Sequence, residues 1–474
     1  MRPFRFAVIA LTLFVPLTGA LARAATLRWP ATDIARHAQA WFAMLASDDA
    51  AARAFYAEHI APASLAEVSL DERMQRRHAM QERTQGLTPL EVVDATPTSL
   101  GVRCKAGNGD LVVARFESEP DAPHRLLGVR IEAGADAGRP EPPPAGPPLD
   151  DAQASGELRK LFDQHAAAGD FSGVALLARP NATLLSGAWG LADRAQQTPN
   201  ATDTRFNFGS IGKLFTKTAV AQLVQVGKLS LDDKLSRWLP DFPHADSITV
   251  DMLVQHRSGV GDFFNDAYRA MDRSKLRHNR DYLALIRNQP LWFTPGTDER
   301  YSNGGYALLG EVIAKASGED YYDYLAKHVF APAGMRDTGY PVEGDGAPRV
   351  AHGYTSRDGG GPGERDNAGT RPARGSAAGG GYTTTADLLA FDRALLGAKL
   401  CDAKRAAWVV GGDDLKSPHL GFAGGAPGIA AEWLREGDVT LIVLTNRDPE
   451  TTREVMQPAR AIVRRMRPAN RVRS

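Results

Sequence analysis

The sequence predicts an α+β protein of the α/β sandwich kind. An antiparallel sheet is flanked by helices and carries an inserted helical subdomain, and a small α+β domain precedes it. Two observations carry this reading. Strand and helix periods recur at both ends of residues 150–466, with a long, mainly helical stretch between them. Ahead of that stretch lies a separate block in which helices give way to short alternating strands, closed off by a run of prolines and glycines.

In chain order, residues 1–24 have the form of a secretory signal peptide. Arg2 and Arg5 precede an apolar run from Phe6 to Leu21, and Ala22-Arg23-Ala24 offers a small-x-small site with cleavage before Ala25. Pro16 and Gly19 interrupt the run, which argues for cleavage over a retained anchor. The expected location is across the inner membrane, in the periplasm, with no transmembrane segment in the mature chain.

Residues 25–133 form the small α+β domain. Ile34, Ala38, Trp41, Phe42 and Leu45 recur at helical spacing behind Thr32 or Asp33 as N-cap. Helices are also expected over Ala50 to His59 and Leu70 to Gln85. The period then changes to short strands at Leu90 to Val93, Ser99 to Lys105, Leu111 to Glu117 and Leu126 to Ile131. A curved sheet wrapped on a helix satisfies this pattern, and no catalytic cluster falls in it. Residues 134–149, ending Pro140-Glu141-Pro142-Pro143-Pro144-Ala145-Gly146-Pro147-Pro148, can neither pair in a sheet nor continue a helix, so they read as an extended linker.

The second domain opens with a helix over Leu158 to Ala167. Strands follow at Phe171 to Ala178 and Thr183 to Leu191, joined by a turn at Pro180-Asn181. Two more strands, Ile429 to Arg435 and Val439 to Asn446, and a closing helix from Thr451 to Met466 stand at the other end. Between them, Ile211, Phe215, Ala219, Leu223 and Val226 step along a helix stopped by Gly227. Tyr306, Leu309, Val312 and Ile313 mark another, stopped by Gly318. Residues 345–378 are glycine-rich and read as a long surface or active-site loop, and residues 467–474 are a basic tail.

Composition excludes several function classes. With 56 basic and 56 acidic residues among 474, no net charge draws the chain to nucleic acid or an anionic membrane. Cys104 and Cys401 fall in different domains and read as free, buried thiols. With scattered histidines they give no metal spacing, and no cofactor is expected.

The chemistry is placed at Phe208-Gly209-Ser210-Ile211-Gly212-Lys213. A helix opened by Ser210 brings Lys213 onto the same face one turn on. Desolvated, that lysine can lose its proton near neutral pH and serve as base to the serine. The helix N-terminus also favours a developing oxyanion. Taken alone, Ser-x-x-Lys equally describes an N-cap serine with a surface lysine. Downstream, Tyr301-Ser302-Asn303 follows the turn Phe293-Thr294-Pro295-Gly296-Thr297. A tyrosine beside Lys213 is expected to have its pKa lowered by the positive charge and to shuttle a proton.

Residues from Asp150 to about Arg465 resemble the serine β-lactamase and penicillin-binding-protein superfamily, in its class C β-lactamase-like branch of esterases and D-amino-acid peptidases. The matching pieces stand in the family's order. They are Phe208 to Lys213, Leu253-Val254-Gln255-His256-Arg257-Ser258-Gly259, Phe293 to Thr297, Tyr301-Ser302-Asn303-Gly304-Gly305-Tyr306-Ala307-Leu308-Leu309-Gly310, and Gly424-Gly425-Ala426-Pro427-Gly428. The resemblance implies that Ser210 is the acyl-accepting nucleophile and Lys213 its proton partner. Tyr301 is base and then acid, and Asn303 contacts the acyl amide or orients Lys213. It further implies an oxyanion hole from the N–H groups of Ser210 and Gly425, each donor contributing roughly 3 kcal/mol. The third motif departs: where the family has Lys-Thr-Gly or His-x-Gly, this chain has Phe422-Ala423-Gly424. His256 follows a landmark of structural character and is given no catalytic part.

The expected activity is an exported serine hydrolase acting on ester or amide bonds of small-molecule or peptide-like substrates, β-lactams among them. The competing expectation is a binding or sensor protein on the same scaffold, motivated by Phe422 and the extra domain.

Overall fold

The protein's structure, a computed structural model, describes residues 27–107, 111–133, 146–356, 363–412 and 419–466. The expected signal peptide, the linker from residue 134 to 145 and the basic tail lie outside the described residues. Two compact units divide the chain, Met1–Pro142 and Pro143–Ser474.

In the first unit, helices α1 (Asp33–Leu45), α2 (Asp49–His59), α3 (Pro62–Glu67) and α4 (Leu70–Thr84) precede strands β1 (Leu87–Ala95), β2 (Ser99–Ala106), β3 (Leu111–Ser118) and β4 (Leu126–Ala133). The Thr32 side chain caps α1 by accepting from the Ala35 N–H. The short α3 was not expected from periodicity; Pro62 at its first turn supplies a preset φ. The strands pair antiparallel in the order β1-β2-β3-β4. Ile34, Ala38, Trp41 and Leu45 pack one face of α1 onto Leu100, Val102, Cys104, Ala114 and Phe116 of the sheet. Trp41 meets Phe116 edge-on at 5.3 Å, and this sheet-on-helix core is the one the alternating pattern requires.

The second unit begins with α5 (Asp151–Ala168), held by a reciprocal capping box between Asp150 and Gln153. Strands β5 (Gly173–Arg179) and β6 (Ala182–Trp189) follow, then α6 (Gly212–Gln225), α7 (Asn303–Ser317) and α8 (Thr385–Leu396). Strands β7 (His419–Ala426), β8 (Ile429–Glu436) and β9 (Val439–Thr445), and α9 (Pro449–Arg464), complete it. The sheet runs β7-β8-β9-β5-β6, all antiparallel, so it is built from the two ends of the unit with the helical subdomain between them.

Alternation along β5 and β9 separates two cores. Ala175, Leu177, Leu441 and Val443 face α5 and α9 through Leu158, Phe162, Val455 and Met456. Val174, Leu176, Ile442 and Leu444 face the subdomain and pack with Phe208, Phe215 and Phe391. The first face makes the back of the sandwich; the second anchors α6, which carries the serine segment. Val226, counted above with the buried face of α6, is 65% exposed because it is the residue that ends the helix. Cys104 and Cys401 are both free and buried. No helix among the described residues is long and apolar enough to cross a membrane.

Candidate active site

Ser210 sits in a 3₁₀ turn, Gly209–Ile211, that leads straight into α6. The turn is pinned against the end of β7. Gly209 has φ +49°, and a Cβ there would lie 2.8 Å from the Gly425 nitrogen. A Cβ on Gly424 would lie 2.2 Å from the Phe208 carbonyl oxygen and 2.8 Å from the Ser210 nitrogen. The two glycines therefore let backbone meet backbone at the serine. Ala426 and Ile429 flank the two-residue turn Pro427-Gly428. The pair flanking such a turn exchanges hydrogen bonds, so Gly425, one step back, turns its N–H outward from β8. The Ser210 and Gly425 amides are thus brought together.

Lys213, in the first turn of α6, is only 7% exposed. Its Nζ donates to Asn303 Oδ1 at 2.7 Å and to the Ala378 carbonyl at 2.8 Å, and lies 3.5 Å from Ser210 Oγ. Burial pushes its pKa down to about 7, against an opposing pull from the Asp262 charge. In the neutral form the amine has two N–H donors and one lone pair. The donors are taken by Asn303 and Ala378, which leaves the lone pair for the serine.

Tyr301 donates its hydroxyl to Ser210 Oγ at 2.7 Å, and the Lys213 Nζ lies 4.6 Å from the centre of its ring. The expected lowering of its pKa is not what this geometry produces. Loss of water around the hydroxyl pushes it up to about 12, although the residue as a whole is 49% exposed. The physical reason is that Lys213 lies over the ring face and is itself held near neutrality, so it brings little positive charge to the phenol oxygen. The resemblance implies that the two residues are neighbours; it does not show which of them is desolvated into its neutral form.

Two contributors, Asp262 and Ala378, are not legible in the sequence, and His256 has the structural character its motif implies. The Asp262 carboxylate accepts from the Asn303 backbone N–H at 3.2 Å and from its Nδ2 at 2.8 Å, which turns Oδ1 toward Lys213. The Ala378 carbonyl belongs to the glycine-rich segment and completes the lysine's shell. His256, with φ +58°, accepts from the Ser302 N–H through Nδ1 at 3.1 Å and stacks on Tyr301 at 4.6 Å. Burial first, then the neighbouring lysines, push its pKa down to about 3, so it is a neutral prop for the tyrosine rather than an acid–base group. Ser302, between Tyr301 and Asn303, caps α7 by accepting from Gly305 N at 2.9 Å. Tyr301 therefore stands at a helix entrance rather than on a free turn. Only a cap signal, serine ahead of the apolar helix, could have revealed this.

The site opens into a cleft of about 750 Å³. Ser210, Tyr301, Asn303 and Gly425 share its wall with Phe263 and Tyr268. Phe422, in the third-motif position, packs on Trp433 with ring centres 5.2 Å apart.

The family model described as Beta-lactamase matches residues 158–465. The chain belongs to the beta-lactamase family. Among curated members of the beta-lactamase family, it is 34% identical over 183 residues to penicillin-binding protein 4* of Bacillus subtilis, covering 38% of this chain and 40% of that one. It is 35% identical over 208 residues to esterase EstB of Burkholderia gladioli, covering 40% and 53% respectively. The chain thus spans about half the length of the curated relatives it matches. Among solved beta-lactamase-family folds, it aligns with a penicillin-binding protein from Bacillus halodurans at a TM-score of 0.58 and 27% identity, over 64% of this chain and 99% of that one. A D-amino acid amidase from Ochrobactrum anthropi aligns at 0.56 and 26%, over 66% and 98%.

Proposed function

We propose that the protein is an exported serine hydrolase that forms an acyl-enzyme on Ser210 and cleaves ester or amide bonds, those of peptide-like substrates included. One observation carries the reading: Ser210 Oγ lies between the Tyr301 hydroxyl at 2.7 Å and a desolvated Lys213 amine at 3.5 Å. The backbone amides of Ser210 and Gly425 stand beside it.

In this reading Lys213 takes the serine proton as Oγ attacks the carbonyl carbon, and the oxyanion falls between the two amides. When the intermediate collapses, the leaving group takes a proton from Tyr301, which recovers one from the Lys213 ammonium. Water then attacks the ester, its proton passing to the same pair, and Ser210 is released. Asn303 keeps the lysine in place. Residues 150–466 form the hydrolase domain and residues 25–133 an accessory one, joined by the linker at 134–149. The signal-like first 24 residues support export to the periplasm. The names of relatives, spanning penicillin-binding proteins, an esterase and a D-amino acid amidase, support the breadth of the acyl class.

A fluorophosphonate probe tests this directly. Intact-mass analysis should show one adduct on the wild type and none on Ser210→Ala. A panel of nitrocefin, short p-nitrophenyl esters and D-amino-acid amides then ranks substrates. No adduct, together with hydrolysis unaffected by Ser210→Ala, overturns the reading; ligand binding without turnover would return the sensor alternative.

A further inference from the structure

The cleft beside Ser210 carries more positive charge than its own carboxylates neutralise. Among the described residues, Arg269, Arg273, Arg371 and Arg374 line it, against the single carboxylate of Glu343. Arg269 pairs with Asp266, and Arg371 pairs with Glu343 at 3.1 Å. Arg273 and Arg374 have no carboxylate partner among the described residues.

Both are nonetheless held in place. Arg374 donates Nε to the Tyr340 carbonyl at 2.7 Å and stacks on Tyr322, its Cζ 3.6 Å from the ring centre. Arg273 lies over Tyr268 at 5.4 Å. Two backbone hydrogen bonds, Ala373 N to Arg273 O at 3.1 Å and Arg374 N to Leu276 O at 3.0 Å, tie their segments side by side. A few residues on from Arg374, Ala378 holds Lys213 through its carbonyl, so the arginine wall and the serine site share one short stretch of chain.

A guanidinium fixed by stacking has lost much of its freedom before a ligand arrives, and its remaining N–H groups form a planar fork. That fork matches a carboxylate, which is itself planar and carries one charge. The sheet edge contributes no cation of its own at the third motif, where Phe422 packs on Trp433 instead.

We propose that Arg273 and Arg374 form a carboxylate-binding subsite of the cleft, so that the preferred substrates carry a carboxylate apart from the bond that is cut. This rests on the acyl-enzyme reading above. The test uses two p-nitrophenyl esters of equal chain length, the valerate and the glutarate monoester, which differ in one terminal carboxylate. Arg273→Gln and Arg374→Gln should each lower kcat/KM for the glutarate about tenfold or more, mainly through KM. The valerate should stay within about twofold, which also shows the fold intact. Arg374→Lys should recover part of the loss, and added salt should weaken only the charged substrate. Equal losses on both esters, or a glutarate rate indifferent to both substitutions, overturn the subsite while leaving the hydrolase standing. A wild type that cleaves neither ester and takes no probe on Ser210 overturns the hydrolase, and the subsite with it.

Discussion

Asp262 holds Asn303 by two hydrogen bonds, 3.2 Å from the backbone N–H and 2.8 Å from Nδ2, and so points the amide oxygen of Asn303 at Lys213. The same carboxylate opposes, by its charge, the lowering of the lysine pKa that burial imposes. One residue thus both orients the lysine's partner and tunes the lysine.

Replacing Asp262 by asparagine keeps the shape and removes the charge. The lysine then loses the interaction that raises its pKa, so its pKa falls further. With the neutral amine as the proposed base, the acid limb of kcat/KM, centred near pH 7 in the wild type, should move to lower pH. A pH–rate profile reads the shift, and a limb that stays put or moves upward contradicts this role.

Lys213 also leaves a mark on stability. Its folded pKa of about 7 lies below the ordinary 10.5, so between those values the unfolded chain binds the extra proton. Stability must then rise with pH across that window, by up to roughly 1.4 kcal/mol per pH unit for this group. Lys213→Met lacks the effect. Denaturant melts of both proteins at pH 7 and pH 10 should show the wild type gaining relative to the variant as pH rises; a constant difference would falsify the assigned pKa.

Tyr301→Phe keeps the ring that packs on His256 and Lys213 and removes only the hydroxyl bonded to Ser210. We expect kcat to fall by about 10² to 10⁴, with thermal stability nearly unchanged. Since the phenol is held near 12, the wild type should show no alkaline loss of kcat/KM below about pH 10. A near-wild-type kcat in the variant removes Tyr301 from the proton path.

Gly424→Ala places a methyl group 2.2 Å from the Phe208 carbonyl and 2.8 Å from the Ser210 nitrogen, where only backbone can give way. Turnover should drop at least about a hundredfold as the two amides separate. Gly437→Ala, at a turn with open space around it, is the control for stability: its φ of +59° strains the chain without touching the cleft. Comparable activity losses in both variants would point to general destabilisation instead.

The sequence showed what repeats or stands at fixed spacing. The strand and helix periods gave the sandwich and the origin of its sheet at both ends of the unit. Ser210 and Lys213 were legible because three positions on a helix make one face. Asp262 and the Ala378 carbonyl were not. Their parts arise where distant segments meet, and a carbonyl has no side chain to betray it. The direction of the Tyr301 shift is hidden for a related reason: proximity to a lysine is implied by the family resemblance, while removal of water from both partners is a property of the packed cleft. Val226 fitted the helical stripe, but a period does not reveal that the helix ends there.

The pairing of β5 with β9 joins residues about 260 positions apart, such as Ala178 and Thr440. Loop closure on that scale comes late, after the helical subdomain has been made and while the central strand still lacks a neighbour on one edge. The finished sheet, and the glycine contact at Ser210 that depends on β7, therefore cannot exist on a nascent chain until residues 419–445 are available. Folding of this unit is expected to be slow, with the candidate active site among the last parts to assemble.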